Sequence, residues 1–381
     1  MASAFAAMIC TMHSPVPALA WLLLACALAQ ANAQTADPAE KQPAPAHHRV
    51  EGFQNNYIEF ERPGLLDLLN WRWQSARQGL PRAPARPTPT LPADLTFIRA
   101  NAVAGGTMQP AVTWIGHATV LAQLGGINLL TDPMFSERAS PVQWAGPQRA
   151  QPPGVALVDL PRIDVVVISH NHYDHFDEAS LRALNRQLGG PPLFLVPLGL
   201  KAWLGANHIQ NVVELDWWQS HRVGSVEFVL TPAQHWSGRG LTDSLQTLWG
   251  SWAVFAPDLH LFFAGDTGYS KDFRDIQRHF ADRQGQRGFD IALLPVGAYQ
   301  PRWFMAQQHV DPLEAVRIHL DLRARMSMGI HWGTFALSDE SLDQPPADLA
   351  VARRTMGLED HEFFVLAIGE TRRLPRRDQA Q

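Results

Sequence analysis

Four side chains able to hold a metal ion fall within six residues, in Ser169-His170-Asn171-His172-Tyr173-Asp174-His175. The apolar, β-branched run Val165–Ser169 leads directly into them and reads as a strand buried on both faces. Residues two apart at the end of an extended strand point the same way, so His170 and His172 can share one ion. Beyond the turn, Asp174 and His175 reach a second position. Paired divalent ions of this kind sit about 3.5–4 Å apart. So many polar groups beside a hydrophobic strand need partners, and a pair of ions supplies them. A lone histidine carries no such weight. Among the 16 histidines, His208, His221, His260, His279, His319 and His361 are expected to be ordinary hydrogen-bonded residues.

A dinuclear site needs further ligands, and loops that follow strands are the place to find them. His235 follows the run ending at Leu230, Asp266 the run ending at Ala264, and His331 the run ending at Ile330. Each is an isolated histidine or aspartate just past an apolar β stretch. Asp132 closes another such stretch, in Leu-Leu-Thr-Asp-Pro. It is expected to orient a ligand histidine from behind, although an aspartate before Pro133 also suits a turn. His117 is left open between pocket and core. The chain has only two cysteines, Cys10 and Cys26. Both precede the expected start of the mature protein, so any metal site must be built from imidazole and carboxylate.

The elements that position these residues alternate between strands and helices. Ala111–Leu121 and Ile127–Thr131 flank Gly125-Gly126 as a hairpin. Strands are expected at Val165–Ser169, Val223–Leu230, Trp249–Ala256, His260–Ala264, Ile291–Pro295, Met326–Ile330 and, last, Phe363–Ala367. Helices are expected at Glu178–Leu188 and Pro312–Leu322, the second with proline near its start, where a missing N–H costs nothing. Two sheets between helices account for the pattern. Ahead of them, Gly64–Arg77 is amphipathic and Pro81–Pro92 is proline-rich, an arm expected to pack on the main domain.

The first 36 residues carry no Lys, Arg, Asp or Glu. Ala18–Ala29 has the length of a signal-peptide core and is too short to span a bilayer comfortably, which takes about 20 apolar residues. Ala31-Asn32-Ala33 supplies a cleavage pattern with Gln34 as the new terminus. The expected organisation is a signal peptide at 1–33, a tether and arm at 34–95, and a hydrolase domain at 96–381. Export to the periplasm or beyond follows from it. The alternative is a lipoprotein anchored through Cys26. A net charge of −5 without a basic face argues against nucleic acid as a partner.

The series Asp132, His170–His175, His235, Asp266, His331 resembles the metallo-β-lactamase superfamily in order and spacing. Between about residues 111 and 370, the segments GHATV, LLTDPMFSERASP, GPQR, ISHNHYDHFD, VELDWW, TPAQHW, FFAGDTGYS and GAYQPRWFMAQQHVDP narrow it. They resemble the phospholipases D that hydrolyse N-acylphosphatidylethanolamine. The resemblance implies an αβ/βα four-layer sandwich with two zinc ions per chain. One would take His170, His172 and His235, the other Asp174, His175 and His331, with Asp266 between them. His309 would lie in the substrate pocket. Trp303, Phe304 and Met305 would line its apolar part, with Tyr173 also facing substrate. Asp174 would orient the attacking water. A phospholipid at a membrane surface would be cleaved to phosphatidate and an N-acylethanolamine, and a homodimer is implied. A lactonase or glycerophosphodiesterase on the same site, or a non-catalytic zinc- or lipid-binding envelope protein, are the alternatives.

Overall fold

A computed structural model describes residues 45–285 and 287–377. The expected signal peptide, Cys10, Cys26 and most of the tether lie outside the described residues. The first sheet takes β1 (Ala111–Gly116), β2 (Thr119–Leu124), β3 (Ile127–Thr131), β4 (Val165–Val167), β5 (Leu193–Pro197) and β6 (Val212–Leu215). The second takes β7 (Ser220–Val223), β8 (Val226–Thr231), β9 (Ser251–Phe255), β10 (His260–Phe263), β11 (Ile291–Pro295), β12 (Ser327–Ile330) and β13 (Phe363–Phe364). A last strand, β14 (Thr371–Arg373), returns to the first sheet beside β1.

Each sheet is antiparallel in one half and parallel in the other. In the first, β14, β1, β2 and β3 pair antiparallel and β3 to β6 pair parallel. In the second, β7 to β10 are antiparallel and β10 to β13 parallel. Val165 and Val167 join the core between the sheets, where they share a cluster with Trp252, Val254, Leu261 and Phe263. Val166 and Ile168 face the other way, into a cluster with Leu181, Leu184, Leu200 and Leu204 from helices Glu178–Asn185 and Leu200–Ala206. This alternation makes β4 apolar throughout. Phe273 and Ile276, with Val316, Ile318 and Leu349, bring helices Asp272–His279, Pro312–Asp321 and Gln344–Met356 into the core of the second sheet. The result is the expected α/β sandwich. Helix Pro312–Asp321 opens with a capping box in which Asp311 accepts from the Glu314 amide at 2.9 Å.

Several expectations are corrected. Ala111–Leu121 is two strands, because the chain turns at His117-Ala118 before β2. The strand expected at Val223–Leu230 is the tight hairpin β7–β8 around Gly224 (φ +56°). β5, β6 and β14 were not expected. The helix in the arm does form, at Leu65–Gln78, but among its side chains only Trp71 and Ser75 are buried. Leu65, Leu66, Leu69 and Trp73 are each more than half exposed, so its apolar face is mostly uncovered. Among the described residues, no helix is long and apolar enough to cross a membrane.

Candidate metal centre

The candidate residues converge because they follow the C-terminal ends of strands in both sheets. In-register parallel pairing sets Thr131 opposite Val167, and the Asp132 amide continues the ladder by donating to the Val167 carbonyl at 3.0 Å. Asp132 is thereby placed beside Ser169. In the second sheet, β11 and β12 pair Pro295 with Ile330, which brings His331 to the same edge. Gly265 permits a close approach of the two halves: a Cβ there would stand 2.4 Å from the Ser169 Cβ, and its φ of +62° also favours glycine.

Two sets of side chains result. His170, His172 and His235 bring ring nitrogens together, with His170 Nε2 2.8 Å and His235 Nε2 3.3 Å from His172 Nδ1. Asp174, His175, His331 and also His117 form the second set. Asp174 Oδ2 lies 3.3 Å from both His175 Nε2 and His331 Nε2. Asp266 stands between the sets. Its Oδ2 is 3.0 Å from His175 Nε2, 3.9 Å from His170 Nε2 and 4.0 Å from His235 Nε2, and its Oδ1 is 3.2 Å from His331 Nε2.

Hydrogen bonds from behind hold the rings. Asp132, fully buried, accepts from the Ser169 amide at 2.7 Å and the Ser169 hydroxyl at 2.5 Å, and its Oδ2 meets His175 Nδ1 at 2.7 Å. Ser169 Oγ in turn contacts His170 Nδ1 at 2.9 Å. His235 Nδ1 donates to the Gln308 carbonyl at 2.9 Å. The side chain of Asn55, in the arm, brackets the His235 backbone by donating to its carbonyl at 2.9 Å and accepting from its amide at 3.0 Å. Such contacts fix which nitrogen faces the centre. His117, Asp132 and His331 also have left-handed backbones, at φ +54°, +30° and +61°. Conformations this uncommon for non-glycine residues persist where the surroundings over-determine them.

The electrostatics fit a cation site. Burial would raise the Asp174 carboxyl, but the charge of His175 and hydrogen bonds from His117 and His331 more than offset it and hold it well below the ordinary range. Asp266 is likewise well below, with burial outweighed by His175 and His331. Burial pushes His172 down to about 4 and His235 to about 3, so both offer lone pairs. Burial would also depress His331, but Asp266 and Asp174 lift it to about 9, and His175 is raised well above its usual value by the same two carboxylates. Two buried carboxylates at one point demand positive charge, and a divalent cation satisfies that demand through the same atoms. His175 Nε2 and Asp266 Oδ1 are buried and make no hydrogen bond. The donor set therefore fits metal ions.

Around the centre, His309 places Nδ1 3.8 Å from Asp266 Oδ2, without a hydrogen-bond partner. Trp303 and Phe304 line a groove of about 190 Å³ with Phe60, Arg62, Pro63 and Gln307. Met305 does not share it. The helical turn Arg302–Met305 points it inward, where it is buried. Tyr173 faces a separate, larger cavity of about 420 Å³, its ring covered by the Arg239 guanidinium at 3.9 Å. Sequence reasoning missed Asn55, Gln308 and Trp236, whose ring lies 4.3 Å from that of His172, and it left His117 undecided. The one available signal was Gly116 before His117, a mark of a turn inside an apolar run.

A family model described as a β-lactamase superfamily domain matches residues 127–332. The N-acyl-phosphatidylethanolamine-hydrolyzing phospholipase D 1 of Caenorhabditis elegans is 40% identical over 272 residues, 68% of this chain and 74% of that protein. The chain belongs to the metallo-β-lactamase superfamily, in the branch that holds this phospholipase D. A mitochondrial enzyme of the same description from Saccharomyces cerevisiae is 37% identical over 254 residues, 65% of this chain and 53% of that protein. The crystal structure of an isothiocyanate hydrolase from Delia radicum gut bacteria shares the fold, with a TM-score of 0.54 at 23% identity, covering 70% of this chain and 99% of that one. As a member of this family, the chain is a metal-dependent hydrolase and not a passive binding module.

Proposed function

We propose that this hydrolase cleaves N-acylated phosphatidylethanolamine at the phosphodiester bond on the ethanolamine side, giving phosphatidate and an N-acylethanolamine, with two zinc ions per chain. The observation that carries the reading is the 40% identity to a phospholipase D of that description over 272 residues, 68% of this chain. His170, His172 and His235 would hold one ion, Asp174, His175 and His331 the other, and Asp266 would reach both. When bound, such a pair makes water a stronger nucleophile near neutral pH and offsets the charge of a phosphodiester.

The chain's own residues divide the remaining work. Asp174, kept ionised by its neighbours, accepts a hydrogen bond and so orients an incoming water. His309 is held to about 3, chiefly by burial, and stays neutral near pH 7. It can donate one ring N–H to a phosphate oxygen or to the departing alcohol. Phe60, Trp303 and Phe304 offer the groove an apolar wall for an acyl chain. The exposed Leu65, Leu66, Leu69 and Trp73 suit the surface of a bilayer, and with the expected export signal they support a reaction at a membrane outside the cytoplasm. No protein nucleophile is needed, and the 45–377 region contains no cysteine.

A panel tests the reading: N-acylphosphatidylethanolamine, phosphatidylcholine, a glycerophospho-N-acylethanolamine and a long-chain lactone, each with zinc-loaded protein. Turnover of the first above the others is expected. Full metal loading with turnover of the lactone alone, or of no phosphodiester, overturns the substrate while leaving the fold untouched.

A further inference from the structure

The motif Val-Glu-Leu-Asp-Trp-Trp has no part in the chemistry above. It spans the crossing from one sheet to the other, with Asp216 between β6 and β7. Asp216 is buried, and two histidines of the arm converge on it. His47 Nε2 lies 2.6 Å from Oδ1 and His48 Nε2 lies 2.8 Å from Oδ2. Neighbouring residues of an extended chain point in opposite directions, so this convergence is imposed locally. The Arg49 amide donates to the Gly52 carbonyl at 3.0 Å and the Gln54 amide to the His47 carbonyl at 2.9 Å, closing a tight hairpin. Trp217 stacks on the His47 ring at 4.3 Å and Phe53 meets the His48 ring edge-on at 5.1 Å. His47 is buried, while His48 keeps about a quarter of its side chain in solvent.

We propose that His47, His48 and Asp216 form a third divalent-cation site, separate from the catalytic pair, that takes zinc or a similar imidazole-preferring ion. Two imidazoles and one carboxylate are a familiar zinc set with a fourth position left for water, and the exposed side of His48 supplies that position. The spacing agrees with the centre already described. Donors around a tetrahedral zinc stand about 3.3 Å apart, given bonds of about 2.0 Å. His170 and His172 are drawn closer than that, to 2.8 Å, and the His47/His48/Asp216 donors are drawn in to a similar degree. The site is a fastener. It ties the start of the arm to the junction of the sheets, and eight residues further on Asn55 brackets the backbone of His235. Occupancy thereby steadies the loop that carries one catalytic ligand.

The test compares zinc content, by mass spectrometry of metals after equilibrium dialysis, in the full chain and in His47→Ala/His48→Ala. The difference should be one ion per chain, whatever the total, so a failure of the dinuclear assignment does not disturb it. If the double variant does not fold, Asp216→Asn, which keeps the shape of the side chain, should lose the same ion. A third measurement uses His170→Ala/His331→Ala, which disables the catalytic set. This variant should still bind one zinc ion, and chelation should speed proteolytic cleavage within residues 46–62. Equal zinc content with and without the His47/His48 pair overturns the proposal and leaves Asp216 as a hydrogen-bonded anchor only.

Discussion

Asp132→Asn isolates what a carboxylate behind a ligand does. The substitution keeps shape and volume. Its amide oxygen can still accept from the Ser169 amide, now 2.7 Å from Oδ1. Its NH2 group replaces Oδ2, which meets His175 Nδ1 at 2.7 Å. An NH2 group cannot accept, so His175 must turn Nδ1 into an acceptor and carry its proton on Nε2. That is the nitrogen 3.0 Å from Asp266 Oδ2, the one that faces the centre. Binding a cation then requires the other tautomer, with two donors opposed. The cost is a hydrogen bond to a charged group, about 1.5–3 kcal/mol, together with a buried unpaired donor of about 1–3 kcal/mol. A total near the low end of that sum, about 2.7 kcal/mol, is about 100-fold in affinity, at the upper end of the 10–100-fold usual for such partners. The metal-free protein should also lose some stability, because His175, raised well above its usual value, loses the buried acceptor of its Nδ1–H. Competition titration against a chromophoric chelator measures the second zinc affinity, and thermal unfolding without metal supplies the control. Wild-type affinity in Asp132→Asn would refute the claim that this carboxylate sets the His175 tautomer. Asp132→Ala should lose metal and also about 2–5 kcal/mol of stability, since the Ser169 amide and His175 Nδ1 are left buried and unpaired.

Five other outcomes are expected. His117→Ala removes the 2.8 Å contact to Asp174 Oδ2 and should weaken the second ion by about 10–100-fold; unchanged metal content in dialysis contradicts that. His331, lifted to about 9 in the protein alone, is protonated at pH 7, so zinc binding should release protons and tighten as pH rises toward 9, which calorimetry in buffers of different ionisation heat measures. The sign for the metal-free fold is the reverse: a histidine raised from 6.5 stabilises fully below about 6.5 and its contribution fades as pH climbs through 9, so unfolding temperature should fall across that window. Trp303→Ala should raise KM by about fivefold with little change in kcat, from about 40 Å² of lost apolar contact at 25 cal/mol/Å²; an equal fall in kcat would place Trp303 in the chemistry instead. Intact-mass analysis of exported protein should show a terminus at Gln34, and a lipidated Cys26 would overturn that.

The strand ends were legible because each ligand follows an apolar β run, and the period-two rule turned His170-Asn171-His172 into one face. β11 emerged with the very bounds its apolar run has. The turn at His117 was only faintly legible: Gly116-His117 is its one mark in a run, Ala111–Leu121, that is otherwise apolar or threonine, and the break is made by backbone angles that side-chain hydropathy does not encode. The left-handed Asp132 and His331 escaped notice for the same reason. β5 and β6 each come after a helical crossover and carry a proline or a charge, Pro197 and Glu214, which hides a short strand. The arm does contact the main domain, through Asn55 to His235 and Trp71 to Phe304, but how little of its helix would be covered was not legible. Its leucines have helical spacing, which says that a face exists but not what covers it; Trp71 meets Phe304 at 4.7 Å and Ser75 donates to Asp339 at 2.7 Å, while Leu65, Leu66 and Leu69 stay exposed. Met305 shows the limit of reading a pocket from a string of residues, since a single helical turn sends Trp303 and Met305 to opposite sides.

The most direct measurement gives zinc-loaded protein N-acylphosphatidylethanolamine in water enriched in oxygen-18 and resolves the products by mass. Hydrolysis at phosphorus predicts phosphatidate carrying one heavy oxygen and an unlabelled N-acylethanolamine. Free fatty acid with a lysophospholipid, label in the N-acylethanolamine, or no product from protein holding its full complement of zinc would contradict it.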